Sequence, residues 1–297
     1  MASPITPTHG KLGALYVFFL NGFSGIGLND ATWGTAAANA TSSYYEVVID
    51  LEDTADTFKW RKNGGAWTED VEITGAAQTL DEGQTITFAA VTGHTLNDQW
   101  VIGNLVDEPT TEVTNTAQIT ASARRILNVN RPPIFTDSGG KKVLSVNYTD
   151  GSAIFNDNVT IVDVDGNNGY IPLIALKKVM YLIDWNYSLS LDMADASRMG
   201  LEWKQALPGM AGGSGSANAY FIADSTLFNC LQAAVNVSQN YFLLQLFNYD
   251  PDQDQTGDCT VAWVTFTSFN LGATISEVVK EQVNFQIHGA VSFTANI

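Results

Sequence analysis

From residue 283 to residue 293 the side chains alternate in character without a break. Val283, Phe285, Ile287, Gly289, Val291 and Phe293 share one parity, while Asn284, Gln286, His288 and Ser292 fall on the other, with Ala290 between them. Period two over this length specifies a β-strand with one buried and one wet face. At about 3.3 Å per residue it would reach roughly 36 Å, where ordinary strands hold about five or six residues. A strand this long with no catalytic group beside it points to a wall or a scaffold.

The rest of the chain is consistent with an ordered protein whose surface is sparsely charged and net acidic. Of its 297 residues 45% are apolar and seven are Trp, which sets it apart from disordered chains. Only 15% are charged, so Ser, Thr, Asn, Gln and Gly must cover much of the surface. Fourteen basic residues against thirty-one acidic ones give a formal charge of −17. Such a chain repels phosphate backbones, which argues against a conventional DNA or RNA binder. The same charge keeps subunits soluble and opposes their packing at low salt.

Cys230 and Cys259 fall on different expected elements and are read as reduced core thiols, with a single bridge between them as the alternative. The apolar run at 12–28 has the look of a signal-peptide core. It lacks a basic leader, is interrupted by Asn21 and three Gly, and is too short and mixed to span a membrane. A buried strand at about 13–20 is expected there.

Residues 44–105 read as a compact all-β unit. Tyr45, Val47, Ile49 and Leu51 alternate, Phe58 and Trp60 start a second strand, and Asn63-Gly64-Gly65 is a strong hairpin signal. Asp81-Glu82-Gly83 turns into the 85–88 strand, and Thr92-Gly93-His94 precedes a strand around Trp100. The polar tract at 107–120 and the Arg131-Pro132-Pro133 stop read as connecting chain. From Lys141 a second β-rich body is expected, with strands near 142–148, 159–164, 171–176, 179–191, 242–248 and 259–271. Two helices interrupt it. One is capped by Asp224 or Ser225 and carries Leu227, Phe228, Leu231, Ala234 and Val235 on one stripe; the other lies within 199–207. Gly212-Gly213-Ser214-Gly215-Ser216 reads as a flexible segment.

Candidate chemistry is sparse. Asp250, Asp252, Asp254 and Asp258 alternate as calcium loops present their ligands. However, the sixth position is Gln255 rather than Gly, and the twelfth is Val261 where a bidentate Glu is needed. An exposed acidic hairpin loop is the expected reading, with no metal and no cofactor, and a weak calcium site at these four aspartates is the alternative. The stretch at 163–169 likewise reads as a hairpin turn. The settings of Ser24 and Ser214 each miss a glycine of the nucleophile elbow, and His9, His94 and His288 lack a carboxylate partner at useful sequence spacing. No catalytic residue, and no enzyme, is expected. Trp60, Trp67 and Trp100 are expected to be core, with a sugar-stacking face as the alternative.

An ordered series of motifs begins with the strand Ile183-Asp184-Trp185-Asn186-Tyr187-Ser188-Leu189-Ser190-Leu191-Asp192 and continues through Ala194-Asp195-Ala196-Ser197. Glu202-Trp203-Lys204-Gln205-Ala206-Leu207-Pro208-Gly209 comes next, and the glycine-rich loop and the helix follow. Val264-Thr265-Phe266-Thr267-Ser268-Phe269 and Val283-Asn284-Phe285-Gln286-Ile287-His288-Gly289-Ala290 close the series, which covers a little over a third of the chain. In this order the series resembles the major tail tube proteins of long-tailed, siphovirus-like bacteriophages, and the Trp203–Gly209 stretch is similar to that family's W-x-x-x-L-x-G motif.

The resemblance implies a mainly β fold: a tail-tube β-sandwich or barrel with a flanking α-helix. That core is expected at 1–41 and 130–297, with an inserted small all-β domain and its linker at 42–129 on the tube exterior. It further implies stacked, hexameric rings around an acidic lumen that conducts DNA without specific binding. The implied partners are the chain itself and the tape measure, tail terminator and distal tail proteins, with no membrane. The implied location is the virion tail, after synthesis in the host cytoplasm. Asp184, Glu277 and Glu281 are the candidate lumen carboxylates. The alternative is a secreted or surface carbohydrate-binding or adhesion β-module.

Overall fold

The structure is a computed structural model that describes residues 14–18, 22–35, 40–179, 182–195, 206–220, 241–248, 258–272 and 279–295. The fold is mainly β. Its strands in chain order are β1 (Leu15–Phe18), β2 (Ala31–Trp33), β3 (Ser43–Leu51), β4 (Thr57–Lys62), β5 (Thr68–Glu72), β6 (Gln78–Thr79), β7 (Thr85–Phe88), β8 (Gln99–Val113) and β9 (Thr116–Ile119). They continue as β10 (Ile134–Asp137), β11 (Val143–Asn147), β12 (Ser152–Phe155), β13 (Val162–Tyr170), β14 (Leu176–Lys178), β15 (Leu182–Asp195), β16 (Ala206–Tyr220), β17 (Phe242–Phe247), β18 (Asp258–Gly272) and β19 (Lys280–Ala295). The expected 224–235 helix lies outside the described residues, as does most of the expected 199–207 helix, whose Ala206 and Leu207 open β16.

The chain divides into two compact units, Met1–Val17 with Lys178–Ile297 and Phe18–Lys177. The expected 42–129 segment lies inside the second of these.

In the second unit a nine-stranded sheet carries the path β11-β12-β9-β8-β3-β4-β5, with β13 and β10 added at β8, and a three-stranded sheet runs β2-β7-β6. Two apolar clusters fill it. Val47, Ile49, Phe58, Ile86, Phe88 and Trp100 form one, and Leu105, Ile119, Phe135, Phe155, Val164 and Tyr170 form the other. Both expected turns are present. Asn63 (φ 50°) with Gly64 (φ 70°) follows β4, and Glu82 (φ 48°) with Gly83 (φ 72°) joins β6 to β7. Positive φ at two successive residues is what such tight hairpins demand.

Two expectations are corrected here. The 107–120 tract is not a linker: it is the second half of β8 together with β9, paired from Thr110↔Ile119 to Val113↔Thr116. Its polar residues signalled a loop, yet Ala117 and Ile119 are buried and Thr111 and Val113 share the outer face. The 163–169 stretch is not a hairpin turn but the middle of β13, which pairs with β8 through two register breaks. There Gly166 packs against Pro133, and a bulge with Asn168 at φ 56° folds Gly169 onto Gly166 without reversing the strand.

The first unit is built on one seven-stranded sheet in the order β14-β1-β17-β18-β19-β16-β15. All six residues of β17 are buried, as a central strand covered on both faces requires. The long strands form two sequence-local hairpins, β15–β16 and β18–β19, joined edge to edge through β16 and β19 into a wall.

Candidate functional site

The register of this wall sorts its residues onto two faces, because directly paired residues project to the same side. On one face Trp185, Ala217, Val283 and Phe269 form a row, followed by Tyr187, Gly215, Phe285 and Phe266, then Leu189, Gly213, Ile287 and Val264. Val283, Phe285, Ile287, Val264 and Trp185 in these rows are buried. Trp185 and Tyr187 stack with ring centroids 6.0 Å apart. Space for the large side chains comes from β16. A Cβ placed on Gly215 would lie 2.5 Å from the Phe285 ring, and one on Gly213 would lie 3.0 Å from Ile287 Cδ1. An aromatic ring laid over a cross-strand glycine restores the packing that the glycine lacks.

The opposite face carries a different chemistry. Its rows are Asp184, Asn218, Gln282 and Asn270; then Asn186, Ser216, Asn284 and Ser268; then Ser188, Ser214, Gln286 and Thr265. Hydrogen bonds run along these rows. Asn186 Nδ2 donates to Ser216 Oγ at 2.9 Å, Asn284 Nδ2 donates to Ser268 Oγ at 2.7 Å, and Asn218 Nδ2 donates to Asp184 Oδ1. Amide-to-hydroxyl ladders of this kind fix side chains that would otherwise wander. The three rows hold one carboxylate and no cation. Lys280 stands one row beyond them, between Tyr220 and Gly272. At the other end the face stops at Trp263, which is buried, and its partner His288, whose ring meets Tyr241 edge-on at 5.3 Å.

The expected flexible segment is thus the middle of a 15-residue strand. The signal for this was present: Gly213, Gly215, Ala217 and Ala219 alternate with Ser214, Ser216 and Asn218, a period-two pattern written in small residues. The alternation expected over 283–293 holds as far as Ile287, with Val283, Phe285 and Ile287 buried in turn. It breaks at Gly289 (φ 73°), where β19 bulges between its pairings with Trp263 and Val261. Beyond the bulge Phe293 is exposed.

The individually named residues are dispersed. Of the candidate lumen carboxylates, Asp184 lies on the polar face, Glu281 is buried on the apolar parity, and Glu277 lies outside the described residues. Asp250, Asp252 and Asp254 also lie outside them, while Asp258 opens β18 and accepts no metal-like cluster of neighbours among the described residues. Cys230 is outside the described residues. Cys259 is a buried free thiol, and burial pushes its pKa up to about 12.

His9 lies outside the described residues. His94 is fully enclosed, with Nε2 2.9 Å from Asp30 and Nδ1 2.9 Å from Asp56. Sequence spacing hid these partners, which arrive from 64 and 38 residues away. Burial alone would raise the Asp56 carboxyl. Hydrogen bonds from the His94 ring and backbone N–H outweigh it, and the pKa lies below its ordinary value. Ser24 pairs through its backbone with Gln99.

Of the aromatic trio, Trp100 is fully buried and Trp60 packs against the same cluster. Trp67 is half-buried, with Arg61 Cζ 4.3 Å and Lys59 Nζ 5.1 Å from its ring centroid. The three do not form a shared stacking surface.

No protein-family model matches the chain, and no curated protein matches it. Partial similarity is found to solved structures. A chain from the tail of an empty GTA particle, refined helically with C6 symmetry, is 18% identical with a TM-score of 0.34, over 41% of this chain and 87% of that one. A chain from the virion of a native gene transfer agent particle gives the same identity and TM-score over 41% and 91%. A chain from the six-fold-symmetrised baseplate of the anti-feeding prophage is 8% identical with a TM-score of 0.34, over 42% and 86%.

Proposed function

We propose that this chain is a structural virion protein, a subunit that polymerises as stacked rings into a phage-type tail tube. The observation that supports this most is the wall of long strands with one apolar face and one amide and hydroxyl face whose three rows hold a single carboxylate, Asp184. In a ring, the wall of one subunit continues into that of the next, which removes the open sheet edges at β14 and β15. Lateral pairing of this kind is heterologous and closes, while ring-on-ring stacking remains open and yields a tube. The ordered sequence resemblance to tail tube proteins supports the same reading, with six subunits per ring and tape measure, terminator and distal tail proteins as partners.

The polar face then lines the channel. Lys and Arg bind a phosphate backbone by displacing its condensed counterions into solution, so a lining of Asn, Ser, Thr and Gln offers nothing to replace them. Asp184 adds one carboxylate per subunit to this lining, a mild repulsion rather than a dense acidic wall. The genome passes without adhering. The 42–129 segment, within the Phe18–Lys177 unit, is read as an inserted domain. Negative-stain microscopy of the concentrated full chain tests the reading: rings or hollow tubes support it, and a uniformly monomeric 32.1 kDa particle at every concentration and salt condition counts against it.

A further inference from the structure

The second unit carries two exposed apolar patches at opposite ends of β8. At the start of β8 three loops are tied together by hydrogen bonds. Asp98 Oδ1 accepts the N–H groups of Ile26 and Gly27 at 3.1 and 3.2 Å, and its Oδ2 accepts Thr95 N–H at 2.8 Å. Leu96 N–H donates to Glu52 Oε1 at 2.6 Å, Asp56 N–H donates to Val91 O at 2.8 Å, and His94 is held between Asp30 and Asp56. On this rigid base Ile26, Leu28, Leu51, Val91 and Leu96 all stand exposed, Ile26 by 65%. Glu52 and Asp53 are exposed at the margin.

At the end of β8 the outer face of the same sheet carries Val113 and Ile154, both paired to Thr116 and so on one side. Leu144, the extra residue of the β11 bulge, adjoins them, and both Val113 and Leu144 are 67% exposed. The net flanking charge here is positive through Lys142, because Lys141 is balanced by the exposed Asp157. Lys141 pairs with Asp157 at 2.7 Å, and Lys142 is exposed with no ion pair among the described residues.

We propose that these patches are the two halves of one contact between copies of this chain, the Leu96 patch of one copy seating on the Val113–Leu144–Ile154 patch of the next. Aliphatic groups gathered on a stapled surface mark interaction sites. Their margins are opposite in sign, so each patch suits the other and repels itself. Within one chain they cannot meet, because β8 holds them roughly 45 Å apart. The contact is therefore heterologous and propagates from copy to copy. It is confined to the second unit and does not depend on the channel reading.

The test uses the full chain with Cys230→Ser, leaving the buried Cys259 in place. Leu96→Cys and Leu144→Cys are made separately, mixed at high concentration and treated with a short bismaleimide. Cross-linked dimer in the mixture, at about tenfold the level of either variant alone, is expected, since a heterologous contact places 96 against 144 and never against itself. Equal cross-linking in all three samples, or none in the mixture, overturns the proposal. A second measurement relies on surface charges only. Lys142→Glu is expected to weaken self-association about tenfold by sedimentation velocity, and Asp53→Lys in the same chain to restore it. Failure of that rescue overturns the proposal equally.

Discussion

The Phe285 ring occupies the space that a side chain at position 215 would need: the two residues are direct cross-strand partners, and a Cβ on Gly215 would lie 2.5 Å from Phe285 Cζ. The wall depends on this complementarity. Gly215→Ala should destabilise the chain by about 1–3 kcal/mol, the usual cost of overpacking a filled site. Gly272→Ala, whose added Cβ meets nothing within 4 Å, should change stability by less than about 0.5 kcal/mol. Chemical denaturation of both variants checks the contrast, and equal effects would refute it.

Cationic substitutions on the polar face should convert a sliding surface into a binding one. Tubes of the Asn284→Lys/Gln286→Lys double variant should retain short duplex DNA at low salt and release it steeply as salt rises. Wild-type tubes should retain none. Filter binding across a salt series measures both.

Assembly should respond to ionic strength. With −17 per subunit, rings repel until the screening length falls from roughly 30 Å at 0.01 M salt to about 8 Å at 0.15 M. Light scattering should therefore show a lower critical concentration as salt rises. Indifference to salt would remove the electrostatic part of the account.

The Cys259 thiol has its folded pKa raised from 9.0 to about 12 by burial. A group raised in the folded state contributes stability that is complete below its unfolded value and lost as pH climbs through the folded one. Stability should accordingly fall between about pH 9 and pH 12, and less so in Cys259→Ala after its own cavity cost is subtracted. In a Cys230→Ser background, thiol reagents at pH 8 should label Cys259 no faster than the chain unfolds.

Asp56 shows the reverse sign. Its carboxyl is held below the ordinary value despite burial, because the His94 ring and N–H donate to it. That contribution is present above the unfolded value of 3.8 and is lost as pH falls through the lower folded value. Asp56→Asn should cost about 1–3 kcal/mol at neutral pH and flatten the acid limb of the stability curve.

How much of this was legible depended on where each residue's partner lay. The 283–293 alternation announced a long strand because Val, Phe and Ile carry a strong period-two signal, and the Asn63-Gly64 turn announced itself through backbone freedom. The glycines of β16 were misread because their use is defined by Phe285 and Ile287, some seventy residues away, and small residues carry little hydrophobic contrast. The 163–169 glycines misled in the same way. His94 looked like a turn residue because Asp30 and Asp56 are remote in sequence. The polar rows, the core of the candidate site, became visible only once three antiparallel registers fixed which Ser, Asn and Gln share a face.

The central claim is that these rows line a channel. A cryo-EM reconstruction of tubes formed by the full chain tests it most directly. The account predicts that Asn186, Ser216, Asn284 and Ser268 of every subunit face a continuous lumen, with Phe285 buried in the tube wall. Tubes in which those residues lie on the outer surface, or are covered by subunit contacts, would contradict it.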